Sequence, residues 1–499
     1  MGRRTVGRRG RTPVAVVAVL CTAGALGVTA VVPGQAAASP SSWPAGAAQG
    51  AGDRAGAVSA SPVHAGRLLP SDGDPDPYAF DEDARTVEGA DGITGAARLE
   101  PGGTYRSSIA EDGKVYYRLE LDAASNAYVS ATAVPAPGSE VSAADGIKVT
   151  VQEADGSTCS TKSAHIGATQ SPHPIAAAAS REIGRTKYVC QEPGTYYAVV
   201  ERSGPPGSSP EDWDLEIGYV TEPRLGKADA TAAPENWDSA PPEGLLGEAG
   251  RRAGGTGFST AAPLGQGVWQ TGIEAGQTLF YKVPVDWGQQ VYADAELGGV
   301  DSGGRYVGTA LAMALYNPVR GFVEDVGSGY GGSRRSAALP VLPPVAYDNR
   351  HAISARVSAV RFAGSYYLVV HLGAGVAEKF GDGPVQLTLR VRVRGDAGDG
   401  PAYLGSARPE GAFEVTAEDR AEASGAAGSG PAGGTGSGDG DGNGDGGTGG
   451  VGGKAAMKVV AATGIGSGCA LVLTLVVWTA LARRRASPAR AGSGRRRGR

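Results

Sequence analysis

Residues 103–131 read GTYRSSIAEDGKVYYRLELDAASNAYVSA, and residues 267–295 read GVWQTGIEAGQTLFYKVPVDWGQQVYADA. The two stretches align without a gap at an offset of 164. The same offset carries Ile147, Val149 and Val151 onto Leu311, Met313 and Leu315. Further along, GTYYAVV (194–200) matches GSYYLVV (364–370), and Leu215 and Ile217 match Leu387 and Leu389. Four matches in one order make an internal duplication.

The pattern inside each copy is that of β-strands. Val115, Tyr117, Leu119 and Leu121 recur with period two, as do Leu279, Tyr281, Val283 and Val285. Alternation with β-branched and aromatic residues marks half-buried strands, because successive side chains of a strand point to opposite faces. Glu111-Asp112-Gly113 and Ala275-Gly276-Gln277 are the turns before them. GTYYAVV and GSYYLVV are apolar on both faces, as strands in the middle of a sheet are. Ala176–Gly184 reads as a short helix. Short strands separated by turns imply a two-sheet sandwich in each copy. The fold class is therefore mainly β: two tandem β-sandwich domains, with one C-terminal transmembrane helix and disordered arms. The boundaries expected are 86–222 and 254–395, joined by a Pro- and Ala-rich linker at 223–253. Contacts look local to each copy, so the two sandwiches are expected to fold independently.

The rest of the chain is concerned with location. Residues 459–481, VVAATGIGSGCALVLTLVVWTAL, carry no charge. As a helix they extend roughly 34 Å, enough to cross a bilayer. The tail 482–499 has eight Arg and no acid, which places it in the cytoplasm by the positive-inside rule, with Trp478 at the interface. At the other end Arg3, Arg4, Arg8, Arg9 and Arg11 precede an apolar run and Ala36-Ala37-Ala38. This reads as a signal peptide over 1–38, with the mature chain beginning near Ser39. Residues 39–85 read as a disordered acidic arm and 396–453 as a tether whose core, 421–453, is mostly glycine. That core has a reach of roughly 30 Å. The expected localisation is the cell membrane: single-pass, type I, ectodomain outside.

The whole chain is −5, residues 1–38 contribute +5 and residues 454–499 contribute +10, which leaves −20 on 39–453. So acidic an ectodomain excludes nucleic acid as a partner. Of four cysteines only Cys159 and Cys190 lie in the ectodomain, an even pair in an oxidising compartment, and a disulfide between them is expected. Closing that loop is worth about 3.7 kcal/mol in the chain-entropy account.

The order of Tyr116-Tyr117 after a turn, then GTYYAVV, repeated as Phe280-Tyr281 and GSYYLVV, resembles the bacterial pre-peptidase C-terminal domain. The resemblance covers each copy. It implies a small β-sandwich that accompanies secreted enzymes or sits on surface proteins, and it brings no catalytic residues. This chain departs from that family in having no protease domain and in the cysteine pair, which the second copy lacks. The Gly-, Ala- and Arg-rich layout resembles surface proteins of GC-rich actinobacteria. The order of signal, ectodomain, tether, span and basic tail is shared with membrane-anchored mycosins, without their catalytic motifs.

Candidate chemistry is sparse. The histidines are His64, His165, His173, His351 and His371. No G-x-S-x-G elbow accompanies them. His165 and His173 lie inside the cysteine loop with no third metal ligand at a suitable spacing, and read as solvated loop residues. Asp439, Asp441, Asn443 and Asp445 match the first half of an EF-hand loop, but its twelfth position is Gly450. At most a weak Ca2+ contact is expected there. No cofactor is implied. Gly464 and Gly468 form G-x-x-x-G within the span, a face on which two copies can dimerise. Arg390, Arg392 and Arg394 put three cations on one face of a strand, read as a solvated or protecting face.

These features describe a non-catalytic surface protein whose work is binding or assembly. Two other readings stay open: an accessory subunit of a membrane secretion or protease complex, and a glycan or cell-wall binding module with Trp269 and Trp287 as stacking platforms. The topology has a direct test. Protease added to intact protoplasts should digest the ectodomain and spare the span and tail; a protected ectodomain contradicts the orientation.

Overall fold

Four five-stranded sheets organise residues 76–425, which the computed structural model describes apart from 185–186, 228–229, 246 and 302–303. The expected signal segment, the span with Gly464 and Gly468, the basic tail, His64 and the Asp439–Asp445 candidate all lie outside the described residues. No helix among the described residues is long and apolar enough to cross a membrane.

The first copy contains β1 (Arg85–Thr86), β2 (Ala97–Arg98), β3 (Thr104–Ile109), β4 (Lys114–Leu121), β5 (Asn126–Val134), β6 (Gly146–Glu153), β7 (Thr158–His165), β8 (Ile175–Arg181), β9 (Gly194–Ser203) and β10 (Trp213–Glu222). The second contains β11 (Gly250–Arg251), β12 (Ala262–Pro263), β13 (Gly267–Ile273), β14 (Thr278–Val285), β15 (Gln290–Leu297), β16 (Val307–Tyr316), β17 (Phe322–Tyr330), β18 (Arg335–Ala338), β19 (Gly364–Leu372) and β20 (Val385–Arg394). In the first copy the sheets run β1-β3-β10-β5-β8 and β2-β4-β9-β6-β7. In the second they run β11-β13-β20-β15-β18 and β12-β14-β19-β16-β17. Every strand has its counterpart ten places on, so the duplication in sequence is a duplication of topology.

The period-two residues do what alternation predicts. Tyr117, Leu119, Val129, Ile147 and Val149 fill the first core, between its two sheets. Tyr281, Val283, Ala295, Leu311 and Met313 fill the second. β9 and β19, the strands apolar on both faces, are the middle strands of their sheets. The expected Cys159–Cys190 bridge is present, with Cα atoms 5.7 Å apart. It ties edge strand β7 to the loop that enters β9.

Several expectations are corrected. Residues 175–181 form β8, paired with β5, and not a helix. Alanine is used here because the strand is buried on both sides: Ala177 and Ala179 face the first core, and Ala176 faces the second copy. Part of the arm 39–85 is ordered, since Tyr78 is buried and Arg85 begins β1. Residues 223–253 include β11, which pairs with β13. Residues 396–425 are folded and not tether. They return to the first copy, where Arg408 bridges Thr221 and Tyr403 bridges Leu225. They then form a helix, α1 (Ala417–Ser424), started by a capping box between Thr416 and Asp419. Ala423 of α1 accepts a hydrogen bond from the Gly265 amide.

The largest correction concerns independence. The outer face of β1-β3-β10-β5-β8 packs against the outer face of β12-β14-β19-β16-β17. Phe258, Phe280, Tyr316 and Val369 of the second copy cluster with Tyr78 and Ala176. Val319 and Phe362, joined by Phe413 of the returning segment, close over Tyr128 of the first copy. Within this contact Glu216 of β10, with 0% of its side chain exposed, pairs with Arg320 of the β16–β17 turn. The Tyr78 hydroxyl donates to the same carboxylate at 3.1 Å and the Asp81 amide at 2.9 Å. Arg361 donates to Glu182 at 2.6 Å and to the Tyr128 hydroxyl at 3.0 Å. Burial alone would raise the Glu182 carboxyl; the Arg361 guanidinium outweighs it and holds the group down at about 2.

A buried carboxylate stripped of its cation is strongly destabilising. Arg320→Ala should therefore remove about 3–5 kcal/mol from the whole two-sandwich body, read as a downward shift of one calorimetric transition. Two separate transitions, with one left at its wild-type position, would show that the copies are independent after all.

Candidate functional site

The joint between the copies leaves two cavities on either side of a histidine pair. His173 sits between Pro172 and Pro174, after the 3-10 turn Gly167–Thr169 of the first copy. The prolines hold the segment extended. The Ser171 carbonyl, 2.7 Å from Nδ1 of His173, can only accept, so Nδ1 carries the proton. His371 ends the apolar run of β19 and lies opposite Thr278 of β14. Its Nδ1 is 3.0 Å from the Thr278 hydroxyl. The two imidazoles stack with centroids 4.5 Å apart and planes inclined by 24°. The second ring nitrogen of His371, Nε2, is buried without a hydrogen-bond partner.

A comparison of the copies explains why a histidine stands there. Thr278 and His371 correspond to Lys114 and Glu201 of the first copy, which face each other on β4 and β9. Lys114 and Glu201 form an ion pair at 2.6 Å on a face open to water. The same face of the second copy is covered by the first copy. Burial disfavours the charged pair there, and the position is filled by a neutral hydrogen-bonded one.

The first cavity, of about 590 Å3, is lined by Asp76, Glu140, Glu274 and Asp382, with no Lys or Arg in its wall among the described residues. The second, of about 570 Å3, has walls from both copies. The end of β7 and the 3-10 turn contribute His165 and Ala168, and β16, β17 and β19 contribute Thr309, Asp325 and His371. Its floor is made of small residues, Ala312, Ala314 and Gly327. Tyr316 and Phe322 stand edge to face at its end, centroids 6.0 Å apart. His173 and Pro174 belong to both cavities. Burial raises the Asp325 carboxyl, and neighbouring Glu324 adds to the shift.

The structure treats the sequence candidates unequally. His173 is not a solvated loop residue but a wall between two sandwiches, stacked on His371. His165 is exposed at the cavity rim, and His351 is exposed in the turn Tyr347–His351. Trp269 and Trp287 are not stacking platforms. Trp287 is buried in the second core, and Trp269 is half-buried, its indole donating to the Gly265 carbonyl at 3.0 Å. Arg390 pairs with Asp294 at 2.8 Å and Glu296 at 3.3 Å across a strand in the middle of its sheet, so β20 is not an edge. No group of three or more metal-ligating side chains is assembled among the described residues. Phe322, Tyr316 and the role of His371 were missed by sequence reasoning. The signal that finds them is divergence between the copies: the ion pair Lys114–Glu201 of the first becomes Thr278–His371 in the second, and the polar cross-strand pair Gln152–Thr158 becomes Tyr316–Phe322.

No family model matches the sequence, and no curated protein matches it. Among solved structures the chain is similar to the CUB1-EGF-CUB2 domain of human MASP-1/3, at 10% identity over 58% of this chain and 99% of that one, TM-score 0.15. It is similar to the N-terminal CBM22-1-CBM22-2 tandem domain of Paenibacillus barcinonensis Xyn10C, at 11% identity over 60% and 93%, TM-score 0.17. It is also similar to tripeptidyl peptidase 2, at 8% identity over 59% of this chain and 24% of that one, TM-score 0.19. Likenesses this distant carry no functional argument; the tandem sandwich stands on the four sheets themselves.

The histidine pair makes stability depend on pH. Burial lowers the His173 imidazole, against a smaller upward pull from the Ser171 carbonyl. Burial lowers His371 further, and the nearness of His173 adds to it. In the unfolded chain both titrate near the ordinary value of about 6.5. The unfolded state thus binds more protons below that pH, so the stabilisation is complete above it and is lost as pH falls towards the depressed folded values. The nearby charges are Asp76, Glu140, Glu274 and Asp382 in one cavity and Asp325 and His165 in the other, and none is bonded to either ring. Thermal denaturation from pH 7 to 5 should show stability declining by up to about 1.4 kcal/mol per pH unit for each imidazole. His173→Gln with His371→Gln should flatten that slope; an unchanged slope refutes the assignment.

Proposed function

We propose that this chain is a membrane-anchored, non-catalytic binding protein that presents a two-sandwich body outside the cell. The observation that carries the binding part is the second cavity, whose walls come from both copies and which neither sandwich forms alone. Its volume lies in the range of small-ligand sites, about 300–1,000 Å3. The anchoring part is supported by the uncharged stretch 459–481, the eight arginines after it and the basic N-terminus. The modules resemble pre-peptidase C-terminal domains in their strand motifs, a family of accessory modules. In this reading anchoring raises the effective concentration of the body at the bilayer.

The test uses the full chain in its own membranes. Cross-linking followed by mass spectrometry should place ligand-dependent cross-links on residues that line the cleft. Ala168→Trp, which fills the second cavity from an exposed turn residue, should remove them without changing the unfolding temperature. Cross-links that persist in the filled variant, or that fall on the far sheets β2-β4-β9-β6-β7 and β11-β13-β20-β15-β18, would falsify the cleft as the binding site. Deleting 459–499 should release the protein from membranes; retention of the shortened chain contradicts the anchor.

A further inference from the structure

We infer that the second cavity binds an uncharged oligosaccharide, a ligand assignment that rests on the binding role proposed above. Four properties of the cavity converge on this class. The first is charge. Among the described residues Asp325 is the one carboxylic acid in its wall and neither Lys nor Arg lines it, so an anionic ligand would lose water without gaining a cationic partner. The second is the aromatic end. Phe322 is 48% exposed and is braced edge-on by buried Tyr316. A rigid, partly exposed aromatic face suits the C–H face of a sugar ring, which is apolar while its rim is covered in hydroxyls. The third is the floor, where Ala312, Ala314 and Gly327 let a flat ring approach the sheet.

The fourth is unspent hydrogen bonding. His371 is 2% exposed, and its Nδ1 is engaged with Thr278, a residue of the other cavity. Its Nε2 has no protein partner, and His371 lines this cavity. A buried polar atom left unbonded costs free energy comparable to a lost hydrogen bond, and this one belongs to a residue of the cavity wall. The Thr309 hydroxyl and the His165 imidazole, at the wall and rim, supply the further polar contacts that fix a sugar's orientation. Duplication accounts for the asymmetry of the site. Its aromatic end belongs to the second copy, and its opposite wall is the histidine-bearing loop of the first.

Full-length protein in a detergent without a sugar head group should be titrated calorimetrically. The probes are short neutral oligosaccharides of glucose, galactose, mannose and N-acetylglucosamine. A uronic-acid oligosaccharide, a sialylated oligosaccharide and an uncharged peptide serve as counter-probes. At least one neutral saccharide should bind and the charged ones should not. Phe322→Ala should weaken binding about tenfold, equivalent to about 1.4 kcal/mol, at unchanged unfolding temperature. Thr309→Val, close to isosteric, should also weaken it, while Tyr188→Ala, at an exposed aromatic outside the cavity, should not. Absence of binding by every neutral saccharide, preference for a charged saccharide or the peptide, or equal affinity in Phe322→Ala and Thr309→Val would each overturn the assignment. If saccharides fail while cross-links still converge on the cleft, the ligand class alone is wrong; if both fail, the binding role falls with it.

Discussion

The described structure depends on one buried carboxylate. Glu216 lies on the outer face of a sheet, where an isolated β-sandwich would leave it in water. Here it is fully enclosed and is satisfied by Arg320 from the other copy, by the Tyr78 hydroxyl and by the Asp81 amide. Such a charge is tolerated only while every partner is in place, because its desolvation is otherwise uncompensated. It therefore requires that the two sheets meet in one register. The Arg361–Glu182–Tyr128 group imposes the same requirement a short distance away, and the aromatic clusters around Phe280 and Phe362 exclude water from both.

Duplication followed by face-to-face packing forces the copies to differ. Each inherits one plan of paired sheets, but only one outer face of each meets the other copy. On the covered face of the second copy the ion pair of Lys114 and Glu201 gives way to Thr278 and His371, and Tyr116 gives way to Phe280. Core positions change little, Ile147 to Leu311 and Val149 to Met313, since both cores need apolar volume. The pattern of substitution thus separates what the sandwich requires from what the contact requires. Between the sheets the packing is incomplete, and the space left beside the histidine pair is the composite cavity. The shape of that cavity is set by how the two bodies meet, and so by the same residues that govern stability.

The duplicated sandwich, its central strands and the cysteine bridge were all legible in the sequence. Each is written locally, in period-two alternation, in an offset repeat or in a count of residues. The candidate site was not legible. His173 and His371 are 198 positions apart and belong to copies that look self-contained, so no spacing rule brings them together. The Ala-rich stretch at 176 misled for a related reason. Alanine favours helix where a chain stands alone, and here it was selected for small volume in a strand pressed between two bodies. The segment 396–425 reads as linker by composition, yet it is held by backbone bridges to the first copy, which composition does not encode. By itself, then, the sequence determined the duplicated modules and most of their strands, because alternation and repetition are properties of neighbouring residues. Tertiary structure alone decided which outer faces are buried, which charges must be paired and where a cavity opens, because those follow from contacts between residues far apart in the chain.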